Sequence, residues 1–194
     1  MPDPIFDAIF SRSRRAGRGK RSKVMAQSHI PRQTFFVDVM LGKLARWLRI
    51  LGYDTAYERN ITDGAIVDRV LNEHRWLLTR DRYLVQRKAV RGRYTLIHSD
   101  FVADQLRQLR TELQIGLAID EETLCRCVAC NHILENIPPS QAGSRVPPFV
   151  AKHYTHFTGC PNCGQLYWTG THWGHLQQRL KLLSQDSPNQ DLDQ

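Results

Sequence analysis

Two kinds of side chain in this chain are spaced for chemistry. Four of its five cysteines form two C-x-x-C pairs, Cys127-Val-Ala-Cys130 and Cys160-Pro-Asn-Cys163, with 29 residues between them. Each pair sets two thiolates at the tip of a tight turn. Two such knuckles close a tetrahedral four-sulfur site of the kind zinc favours. Four thiolates fill the coordination sphere, so the expected Zn²⁺ is structural rather than catalytic. Cys125 is the spare thiol, and a register that uses it in place of Cys127 suits a knuckle less well. His172 and His175 are alternative ligands that read more simply as exposed or ring-packed residues. The second kind is aspartate: Asp38, Asp63, Asp81 and Asp100. Carboxylates that converge at one edge of a sheet bind Mg²⁺ or Mn²⁺ through oxygen. A metal so held activates water for in-line attack on a phosphodiester. For any one of these aspartates taken singly, the competing reading is a helix N-cap.

The elements that must position those groups follow from the apolar pattern. Phe35-Phe36-Val37 is a compact buried strand ending at Asp38, and Leu41, Leu44, Ala45, Leu48 and Leu51 then recur at helical spacing up to Gly52. Tyr53 to Tyr57 is a second strand. Thr62-Asp63 caps a helix whose inner face is Ile66, Val67, Val70 and Leu71. Trp76 to Thr79 is a third strand, followed by Asp81 and an expected helix from about Arg82 to Ala89. Tyr94 to Ile97 is a fourth strand, ending at Ser99-Asp100, and Val102, Leu106, Leu109 and Leu113 mark another helix. Strands alternating with helices predict an α/β sandwich with a mostly parallel sheet. Binding sites in such sheets form outside the carboxyl ends of the strands, and three of the four expected strands end in or next to an aspartate.

Composition sets the frame. The chain has 194 residues and a formal charge of +8. Residues 1–33 carry eight Lys/Arg against Asp3 and Asp7, a net +6, which leaves +2 for the rest. This segment reads as a basic disordered tail, able to seek phosphate or merely to solubilise. Residues 34–118 form the expected α/β domain, 119–183 the zinc-ribbon module with an inserted loop at Pro138 to Pro148, and 184–194 a polar disordered end. No apolar run approaches the roughly 20 residues that cross a bilayer. The amino terminus lacks the apolar segment of a signal peptide. Paired cysteines of metal-ligand spacing fit a reducing compartment. The expected setting is cytoplasmic.

The run Val37-Asp38-Val-Met40-Leu-Gly-Lys43-Leu-Ala-Arg46-Trp47-Leu-Arg49-Ile-Leu-Gly52-Tyr53-Asp54 resembles the opening of a PIN-like ribonuclease family. That family is named after the C-terminal domain of the Mut-seven exonuclease. Leu77-Leu78-Thr79-Arg80-Asp81-Arg82, Arg126-Cys127-x-x-Cys130-Asn131, Arg145-Val146-Pro147-Pro148 and Tyr167-Trp168-x-Gly170-x-His172-Trp173 extend the resemblance, in order, across residues 34 to 176. The resemblance implies a PIN-like three-layer fold joined to a zinc ribbon. It also implies metal-dependent RNA cleavage, with Asp38 and Asp81 as the surest ligands. The family often has paired acids where this chain has Thr62-Asp63 and Ser99-Asp100-Phe101, which puts a second metal in question; Asp68 is the fallback if Asp63 only caps its helix. Lys43, Arg46, Arg80 and Arg82 are the expected phosphate contacts, since Arg forks and Lys charges bind phosphate well. Tyr167, Trp168 and Trp173 suit packing over the ribbon better than base stacking. Two other readings stand beside the nuclease. One is an RNA- or ribosome-binding protein without turnover, and the other is a toxin-type RNase of a toxin–antitoxin pair.

Overall fold

The computed structural model describes residues 33–119, 125–170 and 172–185, with His172 described by its backbone alone. Residues 1–32 of the basic segment and the last nine residues, 186–194, lie outside the described part.

Four strands, β1 (Phe35–Val37), β2 (Thr55–Tyr57), β3 (Trp76–Thr79) and β4 (Tyr94–Leu96), form a fully parallel sheet in the order β2-β1-β3-β4. Successive side chains of a strand point to opposite faces, and both faces here are covered. Phe35, Val37 and Leu78 pack with helices α1 (Gly42–Ile50) and α3 (Val102–Leu113). Phe36, Ala56 and Leu77 pack with α2 (Asp63–Asn72) through Ile66, Val67 and Val70. The result is the expected three-layer α/β arrangement. A near-continuous apolar strand such as Phe35-Phe36-Val37 follows from burial on both faces.

Two elements differ from expectation. Residues 82–89 form two short 3-10 turns, Leu84–Gln86 and Lys88–Val90, instead of a helix. Between them Arg87 is extended, at φ −64° and ψ 123°. Only Leu84 and Val90 of this segment are buried in the core, which is too sparse a stripe to hold a helix. The second is a long terminal helix, α6 (His172–Gln185). Its Leu176, Leu180 and Leu183 enter the same core as α1 and α3, and it runs two residues into the carboxyl-terminal segment expected to be disordered.

The ribbon is a three-stranded antiparallel sheet of β5 (Glu135–Ile137), β6 (Phe157–Gly159) and β7 (Leu166–Tyr167), in that order. The Pro138 to Pro148 insertion is not a plain loop. Pro139 and Pro148 occupy first helical positions of α4 (Pro139–Ala142) and α5 (Pro148–His153), where a missing N–H costs nothing. Cys127, Val128, Cys160 and Tyr167 of the ribbon belong to the main core with Phe35 and Leu48. The small module therefore shares a core with the α/β domain.

Candidate active site and metal centre

The strand order places a topological switch between β1 and β3. From β1 the chain passes to β2 on one side, then crosses back to β3 on the other, opening a crevice at their carboxyl ends. Asp38 follows β1 directly and Asp81 follows β3 after one residue. Asp38 is only 5 % exposed, and its backbone N–H bonds the carbonyl of Leu78 at 3.0 Å. Thr79 ties the two acids together: its hydroxyl donates to Asp38 Oδ2 at 2.5 Å and accepts the Asp81 N–H at 2.9 Å.

Asp38 caps the 3-10 turn Val39–Leu41, while Asp81 accepts from backbone N–H groups of the turn that leads into Leu84–Gln86. Asp38 Oδ1 accepts from the N–H of Val39 at 2.6 Å. Asp81 Oδ1 accepts from the N–H groups of Tyr83 and Leu84 at 2.7 and 3.2 Å. The capping reading and the ligand reading are therefore not exclusive. Capping fixes each carboxylate with one oxygen, and the remaining lone pairs suit a hard cation that takes oxygen ligands.

The other two acids are placed differently. Asp63 is the first residue of α2, and the cap itself is Thr62, whose hydroxyl accepts from Ala65 N–H at 3.3 Å. Its carboxylate is exposed and pairs with Arg87 at 3.4 Å. Asp100 is exposed and pairs with Arg80, joining the loops that follow β3 and β4. Among the described residues, the four ribbon cysteines are the group of three or more metal-capable side chains whose ligand atoms converge.

Beside the strand ends lies a basic cleft of about 460 Å³, lined among others by Lys43, Arg46, Tyr57, Arg59 and Asp100. Lys43 and Arg46 are one turn apart and share a face of α1. Gly42 forms part of the floor, and a Cβ there would stand 2.8 Å from the Tyr57 hydroxyl oxygen. Gln105, buried at the back, donates from Nε2 to Ser99 O at 2.9 Å, while its Oε1 is among the buried atoms without a partner. Of the four expected phosphate contacts, Lys43 and Arg46 line this cleft and Arg80 reaches its edge through Asp100. Arg82 is exposed on the turn after Asp81. Arg59, just past β2, was not expected; its one signal in sequence is a cation two residues after a strand end.

The cysteine centre is built as the spacing demands. The four sulfurs lie within 4.8 Å of one another. Cys127 and Cys163 are 3.5 Å apart and Cys130 and Cys160 3.4 Å. A tetrahedral zinc with bonds near 2.3 Å spaces its sulfurs at about 3.8 Å, so the set fits Zn²⁺ with little adjustment. The knuckles repeat one geometry. The N–H of the residue after the second cysteine returns to the carbonyl of the first: Asn131 N–H to Cys127 O at 2.7 Å, Gly164 N–H to Cys160 O at 2.9 Å. Both residues have positive φ, 69° and 76°, which Asn and Gly tolerate best. Burial, and after it the neighbouring thiol of Cys127, pushes the Cys163 thiol up to about 11, while against burial the backbone N–H of His132 holds Cys130 down to about 7. Tyr167 bridges the centre to the core: its hydroxyl accepts from Val128 N–H at 3.1 Å and lies 3.0 Å from Cys127 Sγ. Cys125 lies outside the four-sulfur group, and His175 is exposed on α6.

A polar seam fixes the ribbon to the α/β domain. Arg49, 4 % exposed, donates from Nε to Thr55 O and from Nη1 to the knuckle carbonyls of Val128 and Ala129, all at 3.0 Å. Asn131 Oδ1 accepts from Thr55 N–H at 2.9 Å and Nδ2 donates to Asp54 Oδ1 at 2.8 Å. Arg75 and Arg126 pair with Asp54 at 2.7 and 3.3 Å.

A parallel α/β sheet with two aspartates at its switch point shares its core with a four-cysteine ribbon. Residues 33–180 match the model of the Mut7-C RNAse domain, and the chain belongs to that family. No curated protein and no solved structure shows significant similarity to the chain. Ribonuclease-type function follows from the family at that level of detail.

Proposed function

We propose that the protein is a metal-dependent ribonuclease that hydrolyses RNA phosphodiester bonds at the carboxyl ends of β1 and β3. The observation that carries this reading is the Asp38–Thr79–Asp81 linkage at the switch point. Thr79 bonds the Asp38 carboxylate and the Asp81 backbone, and N–H groups of the following turns each hold one carboxylate oxygen. Asp38 and Asp81 are the metal ligands on this reading, with Asp63 and Asp100 as outlying acids of the same edge. Mg²⁺ or Mn²⁺ held there would supply the charge that activates an attacking water and stabilises the leaving oxygen. Lys43, Arg46 and Arg59 bind the phosphate backbone along the cleft. Arg80 and Arg82 extend that positive edge past β3. Zn²⁺ on Cys127, Cys130, Cys160 and Cys163 has a structural role, and the protein works on RNA in a cytoplasmic setting.

One observation favours a second reading, RNA binding without turnover. Asp63 and Asp100 are each neutralised by an arginine, which reduces the acidity of the corner. Defined RNAs incubated with Mg²⁺, Mn²⁺ or a chelator, with both ends mapped, separate the two. Cleavage restored by Mn²⁺ after chelation supports the nuclease. Tight RNA binding with no cleavage under any metal supports the second reading.

A further inference from the structure

The ribbon sheet has two unlike ends. At one, β6 runs into Cys160 and β7 follows Cys163, so the knuckles close it. At the other, β5 ends, β6 begins and β7 ends, and a cleft of about 530 Å³ opens there. Two indoles line it, both half-buried. Trp168 packs against the small cluster of Ala142, Val150, Phe157 and Leu166, whereas Trp173 packs against the main core. The cleft thus lies in the seam between two apolar clusters, and each contributes one indole. The polar groups around it are neutral: Asn136, Thr155, Thr158 and Thr169, with His156 beside them. Asn136 and Thr158 are cross-strand partners, so their side chains share a row on one face. Among the described residues no Lys, Arg, Asp or Glu lines it.

That lining selects a ligand class. A phosphate would find no cation here, in contrast to the cleft at Lys43 and Arg46. Flat aromatic faces edged with amide and hydroxyl groups suit a flat, uncharged ring with donors and acceptors on its rim. We propose that this end of the ribbon is a nucleobase-binding cleft, which stacks an unpaired base of RNA on Trp173 and reads its edge through Asn136 and Thr158, whose row continues into Tyr167 on the Trp173 side of the sheet. The proposal rests on the reading of the protein as one that acts on RNA. The ribbon docks where Arg49 and Asn131 meet the carboxyl end of α1 and the amino end of β2. The basic cleft lies at the other end of α1, a nine-residue helix about 14 Å long. The stacked base therefore belongs to a nucleotide removed from the scissile phosphate, and the cleft favours single strands longer than a dinucleotide.

The test uses the full-length, zinc-loaded protein with adenosine and uridine as probes, read by tryptophan fluorescence and by the indole N–H resonances. A nucleoside should quench emission and shift the Trp173 resonance. Trp173→Leu should weaken binding of a single-stranded oligoribonucleotide by about 5- to 150-fold at unchanged zinc content, while Trp173→Phe keeps most of it. Asn136→Ala, on an exposed edge strand, should alter the preference between the two nucleosides with zinc content unchanged. Nucleosides that leave the Trp173 resonance unperturbed, or wild-type RNA affinity in Trp173→Leu, would overturn the proposal, as would a cleft that takes a proline-rich peptide and no nucleoside. Those results leave RNA cleavage itself untouched. Conversely, nucleoside binding in a protein that cleaves no RNA would sustain the cleft and remove only the nuclease reading.

Discussion

Arg49→Met removes the buried guanidinium that bonds the sheet and both knuckle carbonyls at once, while keeping an unbranched side chain of similar reach. In the wild type the charge is buried, and burial lowers the Arg49 pKa while the Cys127 and Cys130 thiolates oppose that effect. Four thiolates around Zn²⁺ carry a net negative charge, which the buried Arg49 cation, bonded to the knuckle carbonyls between Cys127 and Cys130, helps to offset. Three hydrogen bonds from a charged donor are lost: to Thr55 O, Val128 O and Ala129 O. Bonds of this type contribute about 1.5–3 kcal/mol each, but the losses overlap, since the two knuckle acceptors are neighbours and one is only part-buried. A cost of about 3–5 kcal/mol is expected, in line with removing one partner from a buried charged network. For a domain of this size that lowers Tm by roughly 6–20 °C. Arg49→Lys should restore little, because one ammonium cannot reach acceptors on both modules as the fork does. Thermal unfolding at saturating zinc, with metal content measured on the same sample, is the assay. A Tm for Arg49→Met within about 2 °C of wild type would refute this account of how the modules are joined.

Three further outcomes follow from the geometry. Purified protein should hold one zinc per chain, and Cys127→Ser or Cys163→Ser should lose it and unfold the ribbon, since binding energy in such sites is folding energy; protein prepared without chelator that contains no zinc would contradict the assignment. At Asp54, burial works against ionisation, but the hydrogen bonds from Arg75 and Asn131 and the charge of Arg126 outweigh it and hold its carboxyl below the ordinary carboxylate value. A depressed folded pKa gives stability that is present above the unfolded value and lost as pH falls through the folded one, so the loss should begin below about pH 4; Asp54→Asn should flatten that acid limb in denaturant titrations. Removing residues 1–33, with their net +6 charge, should reduce the slope of log RNA affinity against log salt, and an unchanged slope would show that the segment contacts no phosphate.

Much of the site was legible because the signals were local. Phe35-Phe36-Val37 and Trp76 to Thr79 are short apolar runs, and the acids that follow them stand where the strands end. The cysteine spacing alone defined the four-sulfur centre. What escaped depends on long-range partners. Nothing near Thr79 in sequence indicates that its hydroxyl reaches the Asp38 carboxylate, 41 positions away. Arg49 reads as an ordinary cation on a helix, and its burial appears only when carbonyls about 80 residues away arrive. α6 was missed because Leu176, Leu180 and Leu183 sit among polar residues in a segment read as part of the ribbon, although they pack on α1 and α3. The expected helix over 82–89 failed because Arg87 is extended and only Leu84 and Val90 of the stretch enter the core.

The central claim is that Asp38 and Asp81 do the chemistry as well as the capping. Asn caps about as well as Asp, but it removes the negative oxygen that a hard cation requires. Asp38→Asn and Asp81→Asn should therefore keep zinc content, Tm within a few degrees and RNA affinity, while cleavage of a defined RNA in Mg²⁺ or Mn²⁺ falls by orders of magnitude. The decisive measurement is the single-turnover cleavage rate of wild type and both variants on that RNA, at matched zinc content. Loss of cleavage in both with binding intact is the predicted result; equal rates in all three proteins would contradict it.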